Sequence, residues 1–232
     1  MCDFKELKEY YQKCFSLADV FHFNSSVAQE QYDRYLKLTV QGVVLPITHS
    51  GIVDHRIIKD FSSPILRLGF IGNEAAYKGF PILKNVLSKI DSHYWLLNVW
   101  GGHTEIHDDS PIRFRGKFNK QDISQVYHEI DLLIVPSIWK ETFSLVTLEA
   151  LSYGVPVLVS ENVGAKAIVQ EYDDYFIYQT VDELEQKIRE ILKDRSRIKQ
   201  FNQKILRKEW THDFISHAKD MVEKVYGITE YK

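Results

Sequence analysis

From about residue 65 onward, short runs of apolar residues alternate with stretches whose apolar positions recur at helical spacing. The runs are LRLGFIG (66–72), YWLLNVWG (94–101), IRFRGKF (112–118), LLIVPS (132–137), PVLVSE (156–161) and YFIYQT (175–180). Between them lie KGFPILKNVLSKI, QDISQVYHEI, FSLVTLEALSYG and GAKAIVQEY, each with an amphipathic or largely apolar helical pattern. Near-continuous apolar strands separated by helices predict a parallel sheet covered on both faces, a doubly wound α/β domain of Rossmann-like type.

Two parts flank this unit. The first 60 residues predict helix 4–16, strand ADVFHFN, helix SVAQEQYDRYLK, strand GVVLPI and a loop, too little to close a sheet core of its own. After residue 180 the pattern is helical throughout: VDELEQKIREILKD, RSRIKQFNQKILRKEW and THDFISHAKDMVEKVYG, the last expected to be capped by Thr211. The expected division is 1–60 as a short α/β segment, 61–210 as the ligand-binding domain and 211–232 as a terminal helix.

Composition narrows the class of function. With 232 residues, 44% hydrophobic and 26% charged, the chain has the make-up of an ordinary globular protein. A net charge of −3 leaves no basic footprint for nucleic acid. The longest apolar runs are too short to span a bilayer, and the N-terminus lacks the basic and apolar regions of a signal peptide, so a cytoplasmic location is expected. Cys2 and Cys14 are read as free thiols.

Candidate chemistry sits in three loops that leave the carboxyl ends of predicted strands, where open α/β sheets bind ligands. In the first, Gly72 and Asn73 lead to Lys78, at the start of a helix whose unpaired amides favour an anion; taken alone, an exposed lysine beside a capping glycine explains it more readily. In the second, Glu141 stands at the mouth of the helix predicted to begin near Phe143, and Glu149 lies two turns further, roughly 10–12 Å along its axis. That separation suits one carboxylate on a ribose diol and the other on a sugar, with a diphosphate between them. A helix-terminal role explains Glu141 readily, whereas Glu149 falls on or beside the predicted buried stripe, where a carboxylate is costly. In the third, Gly164 precedes a short helix whose amides can complete a phosphate cradle, although such a glycine is also ordinary turn chemistry. A polar stretch, GGHTEIHDD, holds His103, Glu105, His107, Asp108 and Asp109. After a strand and two glycines it reads as a surface loop rather than a metal site.

The stretch PSIWKETFSLVTLEALSYGVPVLVSENVGAKAIV resembles the donor-binding signature of the retaining GT-B glycosyltransferases of family 4 (glycosyl transferases group 1), with Glu141, Phe143, Glu149, Ala150, Gly154, Pro156 and Val157 matching. GFIGNEAAYKG, IRFRGKF and YHEIDLLIVPS are similar to further family segments. So are LADVFHFNSS and GVVLPITHSG, which resemble the end of an acceptor domain and its link to the donor domain. EWTHDFISHAKDMVEKVYG is similar to the terminal helix that returns toward that acceptor domain.

The resemblance implies that Glu149 binds the ribose hydroxyls, Glu141 the transferred sugar, and Phe143 and Ser144, with neighbouring Thr142, the sugar and phosphate. It further implies that Lys78 binds the diphosphate and that the base lies against Gly116 and Lys117. No metal or other cofactor is implied. Three positions depart from the pattern: Asn73 replaces a phosphate-binding Arg, Ser144 a Gly, and Ala167 a Glu. Only the tail of an acceptor domain is expected before residue 60. The implied function is transfer of a sugar from a nucleoside diphosphate donor to a carbohydrate, lipid-linked or protein acceptor, with a partner chain or self-association supplying the acceptor domain. Peripheral membrane attachment would then come through that partner or acceptor. The alternative is a non-catalytic nucleotide-sugar-binding or partner subunit of a split enzyme.

Overall fold

The computed structural model describes residues 3–36, 42–102 and 110–227. The chain begins with α1 (Phe4–Phe15), β1 (Phe21–Phe23), α2 (Ser26–Tyr35) and β2 (Gly42–Val44). The sheet unit follows as β3 (Leu66–Ile71), α3 (Phe80–Leu87), β4 (Trp95–Trp100), β5 (Ile112–Gly116), α4 (Ile123–His128), β6 (Leu132–Val135), α5 (Leu145–Ser152), β7 (Val157–Ser160), α6 (Lys166–Gln170) and β8 (Ile177–Tyr178). Helices α7 (Val181–Lys193), α8 (Ser196–Arg207) and α9 (Phe214–Asp220) complete it, α9 running into a π-turn at Met221–Val225.

Strands β3 to β8 form one parallel sheet in the order β5-β4-β3-β6-β7-β8. The chain winds outward from β3 to one edge and then from β6 to the other. The doubly wound fold predicted from the apolar runs is therefore present, with the switch point between β3 and β6. Central strands read as unbroken apolar runs because helices cover both faces: every residue of β6 and β7 is buried, while β5 at the edge is only half-buried. One core spans the sheet and its helices, from Leu66, Leu97 and Leu133 to Phe176, Ile188 and Phe201. Gly69 interrupts β3 because a Cβ there would stand 2.6 Å from Ile130 Cδ1, which fills its place.

The first segment forms its own two-stranded parallel sheet, β1 with β2. Its α2 is capped by Ser25, whose hydroxyl accepts from the Ala28 amide at 3.0 Å. The cap of α9 is Asp213 rather than Thr211: its carboxylate accepts from the Ile215 and Ser216 amides, both at 2.9 Å. A charged acceptor at the last position before the helix outcompetes a hydroxyl two residues earlier. Among the described residues no helix is long and apolar enough to cross a membrane.

Candidate functional site

At the switch point the loops after β3 and β6 face each other across a cavity of about 240 Å³, lined among others by Gly72, Lys78, Ser137, Glu141 and Ser144. Their approach is set by Gly79, which has φ 77° and where a Cβ would lie 1.7 Å from the Pro136 carbonyl oxygen. Only glycine lets the turn carrying Lys78 come this close to the backbone after β6. Lys78 Nζ then donates to Glu141 Oε1 at 2.8 Å, and the Ser137 hydroxyl donates to Glu141 Oε2. Both side chains are largely covered, 28% exposed for Lys78 and 13% for Glu141.

The backbone of Glu141 is fixed as well. Its amide donates to the Asn162 carbonyl and its carbonyl accepts from the Gly164 amide, both at 2.9 Å. The Gly164 N–H thus buttresses Glu141. A Cβ at Gly164 would fall 2.1 Å from the Thr142 carbonyl oxygen, so this turn also requires glycine. Thr142 is exposed, and its carbonyl accepts from the Ser25 hydroxyl of the first segment.

Helix α5 starts at Leu145, two residues later than Phe143. Phe143 sits in the core, and Ser144 takes the N-cap position in the left-handed region, at φ 87° and ψ 84°. Ser144 makes no capping bond; its hydroxyl accepts from Thr147 Oγ1 at 3.1 Å. The first amides of α5 therefore have no side-chain cap, and the terminus borders the cavity through Ser144, Leu145 and Val146.

Glu149 is one turn beyond Leu145 on the same face and outside the cavity lining, with its side chain 16% exposed. Its carboxylate already has protein partners. Tyr127 Oη donates to its Oε2 at 2.8 Å, and His49 Nε2 approaches its Oε1 at 3.3 Å. Burial, reinforced by the Glu149 charge, raises the Tyr127 phenol well above its ordinary pKa, so it stays protonated and remains a donor.

Asn73 is exposed and its amide donates to the Tyr77 hydroxyl at 3.0 Å. Gly72 and Gly116 end β3 and β5 with positive φ, 153° and 70°, on the same carboxyl edge of the sheet. Gly116 and exposed Lys117 lie off the cavity. The structure thus brings Lys78, Glu141, Ser144 and Gly72 together, with Glu149 one turn beyond Leu145, and leaves Gly116 and Lys117 outside the lining. Ser137, Tyr127 and His49 are contacts that sequence reasoning did not single out. All three lie within stretches quoted above, Ser137 and Tyr127 in YHEIDLLIVPS and His49 in GVVLPITHSG, but nothing local marks their contacts with the two acids. Residues 103–109, which hold the His–Glu–Asp cluster, lie outside the described residues, as does Cys2; among the described residues no group of acids, His and Cys is placed to hold a metal. Larger surface concavities, about 450 Å³ beside Tyr175 and Arg197 and about 470 Å³ beside Tyr94 and Arg189, bring no comparable set together.

Known proteins resemble this chain in sequence and in fold. The chain is 30% identical over 140 residues to the sulfoquinovosyl transferase SQD2 of Arabidopsis thaliana, a match covering 56% of this chain and 27% of that one. It is 28% identical over 108 residues to an uncharacterized 41.2 kDa protein in the cps region of Klebsiella pneumoniae, covering 44% and 29%. Among solved structures, the sucrose-phosphate synthase of Thermosynechococcus elongatus superposes with a TM-score of 0.72 at 18% identity, over 96% of this chain and 61% of that one. Anabaena HepE, solved with UDP and glucose, gives 0.75 at 16% identity, over 97% and 67%. The chain therefore spans about two-thirds of the length of these structures and matches less than a third of the curated relatives. Residues 66–194, more than half of the chain and the part that holds β3 through α7, match the model of the glycosyl transferases group 1, and the chain belongs to that family.

Proposed function

We propose that this chain binds a nucleoside diphosphate sugar at the β3/β6 switch point and, with an acceptor-binding domain, transfers the sugar with retention of configuration. The observation that carries this reading is the convergence of Lys78, Glu141 and the uncapped start of α5 on one cavity at the carboxyl edge of the sheet. An ammonium has three donors, and Lys78 uses one on Glu141, which leaves two for phosphate oxygens. The free amides and dipole of α5 add to the attraction for a diphosphate. As the sugar–phosphate bond breaks, negative charge grows on the leaving diphosphate, and Lys78 and these amides would stabilise it. Glu141 keeps lone pairs free for sugar hydroxyls. No metal or protein nucleophile enters this account, and a carbohydrate, lipid-linked or protein acceptor is compatible with it.

One further feature favours a second reading, a non-catalytic nucleotide-sugar-binding partner: Asn73 engages Tyr77 in place of a charged phosphate contact. Calorimetry and transfer assays separate the two. Glu149→Gln should weaken binding of UDP and UDP-sugar alike, by about 1.5–3 kcal/mol. Glu141→Gln should leave UDP binding nearly unchanged and remove the added affinity of the sugar. Sugar transfer or donor hydrolysis, by the chain alone or paired with candidate acceptor-domain chains, supports the enzyme; donor binding without turnover in every pairing supports the partner. A chain that binds no nucleoside diphosphate sinks both.

A further inference from the structure

We propose that His49, from the segment that joins β2 to β3, is a positioning residue for the Glu149 carboxylate, and that Gly51 fixes the imidazole tautomer in which it acts. This inference rests on the reading of Glu149 as the ribose-binding group.

The two residues are 100 positions apart, and the fold alone brings them together. His49 Nε2 lies 3.3 Å from Glu149 Oε1, while the Gly51 amide donates to His49 Nδ1 at 3.0 Å. A backbone N–H can only donate, so Nδ1 must carry a lone pair in this arrangement. The ring proton is then on Nε2, directed at the carboxylate, and the neutral imidazole acts as a donor. The tautomer is thus set by the hydrogen bond that the other ring nitrogen makes. The identity of Gly51 is part of the device. A Cβ there would stand 2.9 Å from His49 Cε1 and 3.1 Å from Nδ1, close enough to push the ring from its place.

On the opposite side the Tyr127 hydroxyl holds Glu149 Oε2 at 2.8 Å. Each carboxylate oxygen therefore has one protein donor, and of about four acceptor sites on the group two remain for a pair of vicinal hydroxyls. The two donors hold Glu149 in one orientation before a ligand arrives, so less side-chain freedom is lost on binding. His49 is 40% exposed, and its replacement leaves the core intact.

The test has two arms on the full chain. Long-range ¹H–¹⁵N spectra of histidine-labelled protein should show His49 protonated on Nε2 with a bare Nδ1; an Nδ1–H form, or fast averaging of both forms, overturns the assignment of Gly51. Calorimetry with UDP, the nucleotide of the HepE complexes, is the second arm. His49→Ala should weaken UDP by about 5-fold, and Gly51→Ala should reproduce the loss. His49→Gln, which restores a donor at similar reach, should return affinity to within about twofold of wild type. In a Glu149→Gln background His49→Ala should have no further effect. Equal losses for Ala and Gln, or an undiminished His49→Ala effect without the Glu149 carboxylate, overturn the positioning role. A wild-type chain that binds none of UDP, GDP and ADP overturns the nucleotide reading itself, and the spectra still decide the tautomer.

Discussion

Ser144 is the one described non-glycine residue with positive φ, at the position where the family resemblance implies glycine. An L side chain held at φ 87° costs roughly 1 kcal/mol or more. Its hydroxyl also serves Thr147, so a single substitution mixes two effects. Comparing two variants isolates the strain, since both lose the hydroxyl: Ser144→Gly should be more stable than Ser144→Ala by about 1 kcal/mol in urea unfolding. Lys59 offers a pH-dependent test. It is buried, with Nζ donating to the Tyr127 carbonyl at 2.9 Å, and burial lowers its pKa to about 8, against the opposing influence of Asp131. The folded chain therefore binds this proton less tightly than the unfolded chain, whose lysine has its ordinary value near 10.5. The resulting penalty is complete below pH 8 and is released as pH rises toward 10.5. Stability of wild type relative to Lys59→Met should rise across that window, by an amount on the order of 3 kcal/mol in full. A difference that stays flat between pH 7 and 10 would show that Lys59 titrates normally.

At the scale of elements, the end of α5 depends on a close contact with the preceding connection. Gly154 has φ 76°, and a Cβ on it would lie 2.8 Å from the Ile57 carbonyl oxygen. Asn202 of α8 closes the junction, its amide donating to the Ile57 and Gly154 carbonyls at 3.0 and 2.7 Å. Gly154→Ala should cost about 2–3 kcal/mol through strain and the displaced backbone, read as a lower urea midpoint with faster amide exchange at residues 55–59. A variant as stable as wild type would mean that this junction yields freely. Contacts of this kind mark where sequence reasoning stops. The central strands were legible because burial on both faces makes them apolar almost throughout, and Lys78, Glu141 and Glu149 stood out as charges beside such runs. Boundaries shifted where a stronger local device took over, as at Asp213 and at the left-handed Ser144. The partners of Glu149 were illegible, because a tyrosine in a helix and a histidine in a loop have no periodic signature; only the fold places Tyr127 and His49 on the same carboxylate.

For the molecule as a whole, the first segment is the thinnest part. Its β1–β2 pair is a two-stranded sheet, and α1 has no buried residue while Phe4, Tyr10 and Leu17 are well exposed. The segment is nevertheless tied to the rest at defined places. The chain leaves it through residues 46–56 and returns alongside through residues 208–213, after which α9 packs back so that His217 and His22 lie 6.3 Å apart between ring centroids. The two passages are bonded to each other: Thr48 Oγ1 donates to the His212 carbonyl at 2.8 Å, and Arg56 donates to the Lys208 carbonyl at 2.7 Å. Mechanically, one connecting strand would act as a ball joint, free to swivel in any direction, whereas two side by side act as a door hinge. The segment should therefore swing against the sheet about the single line that joins the two passages, with twist and slide suppressed. Spin labels on α2 and at two sites around the sheet should give pairwise distances that change together along one curve; distances that vary independently would show that the paired passages impose no axis.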